Sequence, residues 1–185
     1  MIFDKRSQVI LLTTLTLPAT FALVSLPSDA AKPTLANKYQ PLPNQACINL
    51  QQNMARAIKK RTFEEVTLKT PVNFEDLIAK AKGGACELTA TSNGKQFKTL
   101  GDIAIAMMTM LRKQGWLEDQ QYAANSPEGM LIAFRKDKDL LILSIESKLA
   151  KEVKCDQQAP IASCYERAKP EQIFYSISLK AARGK

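Results

Sequence analysis

The sequence predicts a single α+β domain, in which helices pack against an antiparallel sheet of about four to five strands. An apolar stripe at helical spacing follows Thr99 and predicts a long central helix. Two bulky apolar runs, 130–134 and 140–145, flank a short charged turn and are typical of strands. Residues 173–180 alternate in polarity, which predicts a half-buried strand. Because sequential strands usually pair, an antiparallel arrangement is favoured.

The central helix is expected to begin at Thr99 and to end at Gly115. The Thr99 hydroxyl can accept a hydrogen bond from the backbone, and Asp102 lies where the acid of a capping box would reach back. Glycine ends helices readily because it adopts the left-handed conformation without steric cost. The residues at the spacing of one buried face are Leu100, Ile103, Ala104, Met107, Met108 and Leu111.

Four further elements are predicted before this helix. Apolar residues repeated every four positions indicate a helix over 47–61, and residues 63–68 are expected to form a short strand. A second helix is predicted from Asn73 to Ala81, stopped by the glycine pair at 83–84. The Asn-Gly dipeptide at 93–94 is typical of a tight turn and predicts a hairpin.

The strands differ in the faces that they must bury. Residues 130–134 and 140–145 are apolar on both faces, so both faces are expected to be covered. The central helix would cover one face, and the N-terminal helix or a partner chain would cover the other. The strand at 173–180 is polar on one face and comes last, so it is expected at a sheet edge.

The first thirty residues are typical of a secretory signal peptide. A short basic head precedes an almost uncharged stretch, 9–26, and small residues precede an expected cleavage site after Ala30. An uncleaved N-terminal anchor is the alternative, but no permanent membrane span is expected after cleavage. Residues 31–45 contain three prolines and are expected to form a flexible linker, followed by one globular domain over 46–185.

Four cysteines form an even set in a chain that is expected to be exported. Cys47, Cys86, Cys155 and Cys164 therefore predict two structural disulfides, with three pairings open. The short separation favours Cys155–Cys164, which would leave Cys47–Cys86. A zinc site is disfavoured because no two cysteines lie two to four residues apart. The predicted location is periplasmic or secreted, or the thylakoid lumen if the source is photosynthetic.

Composition excludes several kinds of chemistry. The chain has no histidine, which excludes Ser-His-Asp and Cys-His nucleophilic sites and histidine metal sites. No catalytic residue, metal ligand or cofactor site is predicted. The net charge of +8 favours anionic partners or surfaces. The lysines are spread along the chain without interleaved aromatic residues, so nucleic-acid binding is not expected.

Three hypotheses for function remain open. The sequence favours a small non-enzymatic binding or accessory protein of the bacterial cell envelope, with an envelope protein as its partner. One alternative is a histidine-independent hydrolase that uses paired carboxylates. The adjacent acids available for that chemistry are Glu64 and Glu65, Glu75 and Asp76, and Glu118 and Asp119. The other alternative is a protein that binds anionic polymers or an anionic membrane surface.

Overall fold

Three α-helices and one seven-stranded sheet make up the part of the chain that the computed structural model describes, residues 36–60, 65–156 and 158–185. The strands are β1 (Ala36–Pro41), β2 (Thr67–Asp76), β3 (Ala81–Asn93), β4 (Leu117–Ser126), β5 (Gly129–Lys136), β6 (Asp139–Leu149) and β7 (Ile173–Gly184). The helices are α1 (Asn44–Ala57), α2 (Leu100–Lys113) and α3 (Ile161–Arg167), with a 3₁₀ turn at Pro170–Gln172. The predicted signal peptide, 1–30, and the start of the predicted strand 63–68 lie outside the described residues.

The strand order in the sheet is β2-β3-β1-β7-β6-β5-β4. β1 and β3 run parallel, and every other neighbouring pair is antiparallel. The α+β class is therefore confirmed, but the predicted four to five wholly antiparallel strands were wrong. Beyond β1, strands β3 and β7 pair directly with each other. β1 is thus a short strand inserted where β3 and β7 separate.

The inserted strand β1 lies inside the segment predicted to be a linker, and α1 begins at Asn44, so ordered structure begins earlier than predicted. Pro41 is the last residue of β1, a place where a missing backbone N–H is tolerated. Close packing of β1 on β3 requires Gly83, because a Cβ there would collide with the carbonyl oxygen of Tyr39. Three prolines thus did not prevent a strand.

Two other predictions upstream of α2 were wrong. Residues 73–81, predicted to be a helix, form the end of β2, a turn and the start of β3. The Asn-Gly pair at 93–94 does not connect two paired strands, because β3 pairs with β2 and β7 and the chain then enters α2. A Cβ at Gly94 would meet the backbone of Pro170, so glycine permits a close approach there.

Helix α2 begins as predicted. The Thr99 hydroxyl accepts a hydrogen bond of 3.1 Å from the Asp102 amide, and the Asp102 carboxylate accepts one of 3.0 Å from the Thr99 amide. This reciprocal capping box satisfies two backbone donors that a helix start leaves unpaired. Gly115 follows the helix with φ of 82°, in the left-handed region that favours glycine.

The helices and the sheet enclose the larger of two apolar clusters. Its fully buried residues include Met54 of α1, Met107 of α2 and Leu143 of β6. β7 lies between β1 and β6, so the predicted edge position was wrong. Its polar face is exposed because the helices leave that side of the sheet open. A strand polar on one face therefore need not lie at an edge.

Both disulfides join the favoured pairs, Cys47–Cys86 and Cys155–Cys164, and no cysteine in the described residues is free. The first ties α1 to β3 inside the larger apolar cluster. The second ties α3 to the segment after β6. Two disulfides are typical of proteins in an oxidising, extracellular compartment. Within the described ranges, no helix is both long enough and apolar enough to cross a membrane.

Candidate functional site

Opposite edges of the sheet meet on the side that the helices leave open. Asp76 ends β2, at one edge, and its carboxylate accepts a hydrogen bond of 2.7 Å from the hydroxyl of Tyr122 in β4, at the other edge. Tyr39 of β1 donates a second bond of 2.7 Å to the same carboxylate. The Arg135 guanidinium donates a hydrogen bond of 3.0 Å to the Tyr122 hydroxyl and one of 2.8 Å to the Asp119 carboxylate. We call these five side chains the clasp.

Burial and hydrogen bonding shift the pKa of Asp76, which is fully buried, in opposite directions. Burial raises the pKa of a carboxyl group, because the charged form loses hydration. The Ala79 amide and the Tyr39 and Tyr122 hydroxyls donate to Asp76, and the positive charge of Arg135 lies nearby. These interactions outweigh burial, so the pKa of Asp76 is lowered from its ordinary value. The carboxylate is therefore a charged structural centre.

The partners of Asp76 are correspondingly poor acids. Burial and the bond to Asp76 raise the pKa of both Tyr39 and Tyr122. The hydrogen bond from Arg135 to Asp119 and the nearby tyrosines raise the pKa of the guanidinium against the effect of its burial. All four groups are therefore held in their ordinary charge states at neutral pH. The arrangement therefore stabilises the shape of the sheet.

The clasp depends on strong bending of the two edge strands. The pairing register shifts between Lys69 and Val72 in β2 and between Asp119 and Ala124 in β4. Such irregularities bend a strand and increase its twist. Between the edges lies the smaller apolar cluster, whose buried residues are Tyr39, Phe74, Ala81, Ala85, Tyr122, Ala133, Leu140 and Ala182. The curled sheet itself therefore provides the second cover expected for the apolar strands.

Beside the clasp, the curled sheet forms a groove of about 1040 Å³. Its floor crosses β3, β7 and β6, and β1 and β2 form part of its rim. Glu87 and Lys180 oppose each other on the floor, with 3.6 Å between carboxylate oxygen and ammonium nitrogen. Ser178 donates a 3.3 Å hydrogen bond to Glu87. The other charged residues of the lining are Glu75, Lys82, Glu146 and Lys185, so the two signs are balanced.

A row of hydroxyl side chains continues the floor away from the clasp. Thr67, Thr89, Ser178 and Ser144 are direct neighbours on β2, β3, β7 and β6. All four line a second depression of about 410 Å³ on the same face. With strands about 4.8 Å apart, the row is about 15 Å long. Each hydroxyl can donate and accept a hydrogen bond, so the row suits a neutral polar ligand.

Four of the paired acids considered from the sequence have separate partners in the structure. Asp76 is buried in the clasp, and Asp119 pairs with Arg135. Glu118 lies 3.2 Å from Arg112, and Glu65 lies 3.6 Å from Lys60. Glu75 lines the groove, whereas Glu64 lies outside the described residues. No cluster of three or more potential metal ligands occurs in the part of the chain that is described.

Sequence reasoning missed the clasp and the groove. Tyr39 lay in the predicted linker, and Tyr122 lay between the predicted central helix and the apolar run 130–134, where no element was predicted. The hydroxyl row did leave a signal, since hydroxyl residues alternate with others at positions 89–91 and 176–178. That alternation predicts one polar strand face, but it does not reveal that several such faces are neighbours. Comparison of the chain with family models, curated proteins and solved structures found no match.

Proposed function

We propose that this protein is a small exported, non-enzymatic binding or accessory protein of the bacterial cell envelope, and that its groove binds a polar segment of an envelope protein. The observation that carries the proposal is the helix-free concave face, which the clasp holds in shape. A preformed surface lowers the entropic cost of binding, because it need not be ordered when the partner arrives. The two disulfides suit a compartment outside the cytoplasm.

The chemistry of the groove favours a protein segment over a small molecule. Small-molecule pockets are mostly apolar and enclose most of the ligand. This groove is lined mainly by hydroxyl, amide and charged groups and is continuous with the hydroxyl row. An extended segment offers alternating backbone donors and acceptors, which hydroxyl groups can match without a fixed charge pattern. The balanced lining also gives no preference for a strongly acidic or basic segment.

The environment of the carboxylates does not favour the hydrolase alternative. A two-carboxylate mechanism needs one acid that is protonated near neutral pH and a second that is ionised. Asp76 has a lowered pKa and is fully buried, so it suits neither contact with substrate nor proton donation. Glu87 is engaged by Lys180 and Ser178. Binding without catalysis is the function that this lining supports best.

Photo-crosslinking in the envelope tests the proposal. A photoreactive amino acid at Ser178 should join the protein to its partner, whereas the same amino acid at the exposed Thr109 of α2 should not. The captured protein is then identified by mass spectrometry and purified. With the purified pair, Ser178→Arg should weaken binding at least about tenfold, because a long charged side chain fills the groove floor.

The matched control adds the same charge on the other side of the sheet. Thr109→Arg should leave the affinity for the captured partner unchanged. Equal crosslinking from both positions, or equal affinity of the two arginine variants, would contradict binding in the groove. Hydrolysis of an envelope polymer that is lost in Glu87→Gln would favour the enzyme alternative instead.

A further inference from the structure

The turn between β2 and β3 carries two adjacent exposed aliphatic residues at its tip. Leu77 is 67% exposed and Ile78 is 48% exposed. The turn is held from beneath, because the Asp76 carboxylate accepts hydrogen bonds of 3.1 and 2.9 Å from the Ile78 and Ala79 amides. Adjacent large aliphatic side chains held in water lose the stabilisation that burial would give them. A surface that covers them would therefore be stabilised.

Lysines surround this turn at the same end of the sheet. Lys80 belongs to the turn, and Ala81 after it lies beside Ala36, two residues from Lys38. The Lys185 amide donates to the Lys38 carbonyl, and the Gly184 amide donates to the Lys138 carbonyl. The exposed lysines of this end are Lys38, Lys80, Lys136, Lys138 and Lys185, and we call them with the turn the basic end.

The charge of the basic end is not neutralised within the described part of the chain. None of the five ammonium groups forms an ion pair there, although Lys136 donates a 2.8 Å hydrogen bond to the Gln114 carbonyl. The exposed acids near this end are Asp137 and Glu75. By contrast, the Asp139 carboxylate forms an ion pair with Arg183, with 3.4 Å between its oxygen and the guanidinium nitrogen. An anionic surface that meets this end would therefore gain several attractive contacts and few repulsive ones.

The position of Ala36 adds an independent observation. It is the first residue that the structure describes, and it starts β1 beside the turn. The 35 residues that precede it, including the apolar stretch 9–26, are therefore covalently joined to β1 at the basic end.

From these observations we propose that the basic end docks on an anionic lipid bilayer, with Leu77 and Ile78 inserted into the interface and the five lysines among the lipid headgroups. A bilayer is the occupant because the aliphatic pair is at the tip of a projecting turn. A soft interface accepts a projecting tip, whereas a protein partner needs a complementary surface of about 800 Å² on each side. The groove, on the concave sheet face, shares only Lys185 with the five lysines of this surface.

Vesicle binding tests the proposal with the protein purified after export, in the form that the cell yields. Vesicles of phosphatidylcholine with about 30 mol% phosphatidylglycerol should bind it, and pure phosphatidylcholine vesicles should bind it much less. Binding should weaken in about 1 M salt, where the screening length falls to about 3 Å. The double substitution Leu77→Ser and Ile78→Ser should lower the partition coefficient at least about tenfold.

Ile105 offers a control of matched exposure. It is 65% exposed on α2, away from the basic end, so Ile105→Ser should leave binding unchanged. Equal effects of the Ile105 and Leu77/Ile78 substitutions, or binding that neither substitution changes, would overturn the proposal. So would binding of the basic end to an acidic protein with no affinity for vesicles.

A fluorescent reporter makes the test independent of any binding through the leader. Ala79→Trp places an indole at the tip, and Thr109→Trp places one on the exposed face of α2. Adding anionic vesicles should shift the emission of the tip variant to shorter wavelength and leave that of the helix variant unchanged. A tip indole that stays in water while the protein is vesicle-bound would refute insertion of the turn.

Discussion

The hydroxyl of Tyr122 donates a 2.7 Å hydrogen bond to the carboxylate of Asp76, although their strands form opposite edges of the sheet. This bond joins the two edges of the curled sheet beside the smaller apolar cluster. The groove lies beside that closure, and the turn of the basic end is held by the same carboxylate. Asp76 therefore links the shape of the groove to the placement of Leu77 and Ile78.

Removing the Tyr122 hydroxyl should destabilise the fold. Tyr122→Phe deletes a donor to a buried charge, a loss of about 1.5–3 kcal/mol in the free energy of unfolding. Tyr175→Phe is the control, since the Tyr175 hydroxyl donates a 3.2 Å hydrogen bond to the uncharged carbonyl of Lys98. Its removal should lower the free energy of unfolding by only about 0.5–1.5 kcal/mol. Urea unfolding of both variants measures the difference. Equal losses of stability in the two variants would mean that the charge on Asp76 does not strengthen its hydrogen bond with Tyr122.

Acid should remove the stabilisation that Asp76 provides. The pKa of Asp76 is lowered below its ordinary value of 3.8 in the folded protein, so its contribution is present above that value. The contribution is lost as the pH falls through the lower folded pKa. Asp76→Asn should therefore be less stable than the wild type near neutral pH. The difference between their free energies of unfolding should become smaller below about pH 3.8. Urea unfolding at a series of pH values checks this, and a gap that is constant with pH would contradict it.

The two disulfides should contribute unequally. Cys47–Cys86 spans 39 positions and Cys155–Cys164 spans 9, so restriction of the unfolded chain predicts about 4 and about 2.5 kcal/mol. Cys47 and Cys86 are also fully buried, and alanine there would leave a cavity. The double alanine variant of the first pair should lose the most stability, as measured by urea unfolding. A larger loss of stability on removing Cys155–Cys164 than on removing Cys47–Cys86 would contradict this prediction.

A side chain at Gly83 should displace β1. Gly83→Ala places a Cβ against the Tyr39 carbonyl, so β1 must move and the Tyr39 bond to Asp76 must weaken. Hydrogen exchange should become faster in β1 and in the adjoining part of β7. Gly101→Ala is the control, because its Cβ would meet only the Thr99 hydroxyl oxygen at 3.5 Å, inside a helix where alanine is favoured. Unchanged exchange in Gly83→Ala would mean that β1 tolerates the side chain.

Local chemistry accounts for the elements that the sequence predicted well. The bonds that begin α2 join residues only three positions apart, and the turn between β5 and β6 connects adjacent runs. Asp76 illustrates why a local signal can mislead. Its oxygen accepts bonds from amides two and three residues later, which is also how a helix cap works, but here it holds a turn.

The missed features depend on contacts between distant parts of the chain. The strand β1 exists because β3 and β7 separate and leave backbone groups for it to pair with. Tyr39 and Tyr122 meet Asp76 across separations of 37 and 46 residues, and no nearby residue types mark them as partners. The groove follows from the same long-range arrangement, so periodicity and turn residues could predict its strands but not its shape.

Pairing between Tyr39 of β1 and Gly184 of β7 joins the first described strand to the last. The sheet therefore cannot be completed until residues as far as Gly184 are available, and such high contact order slows folding.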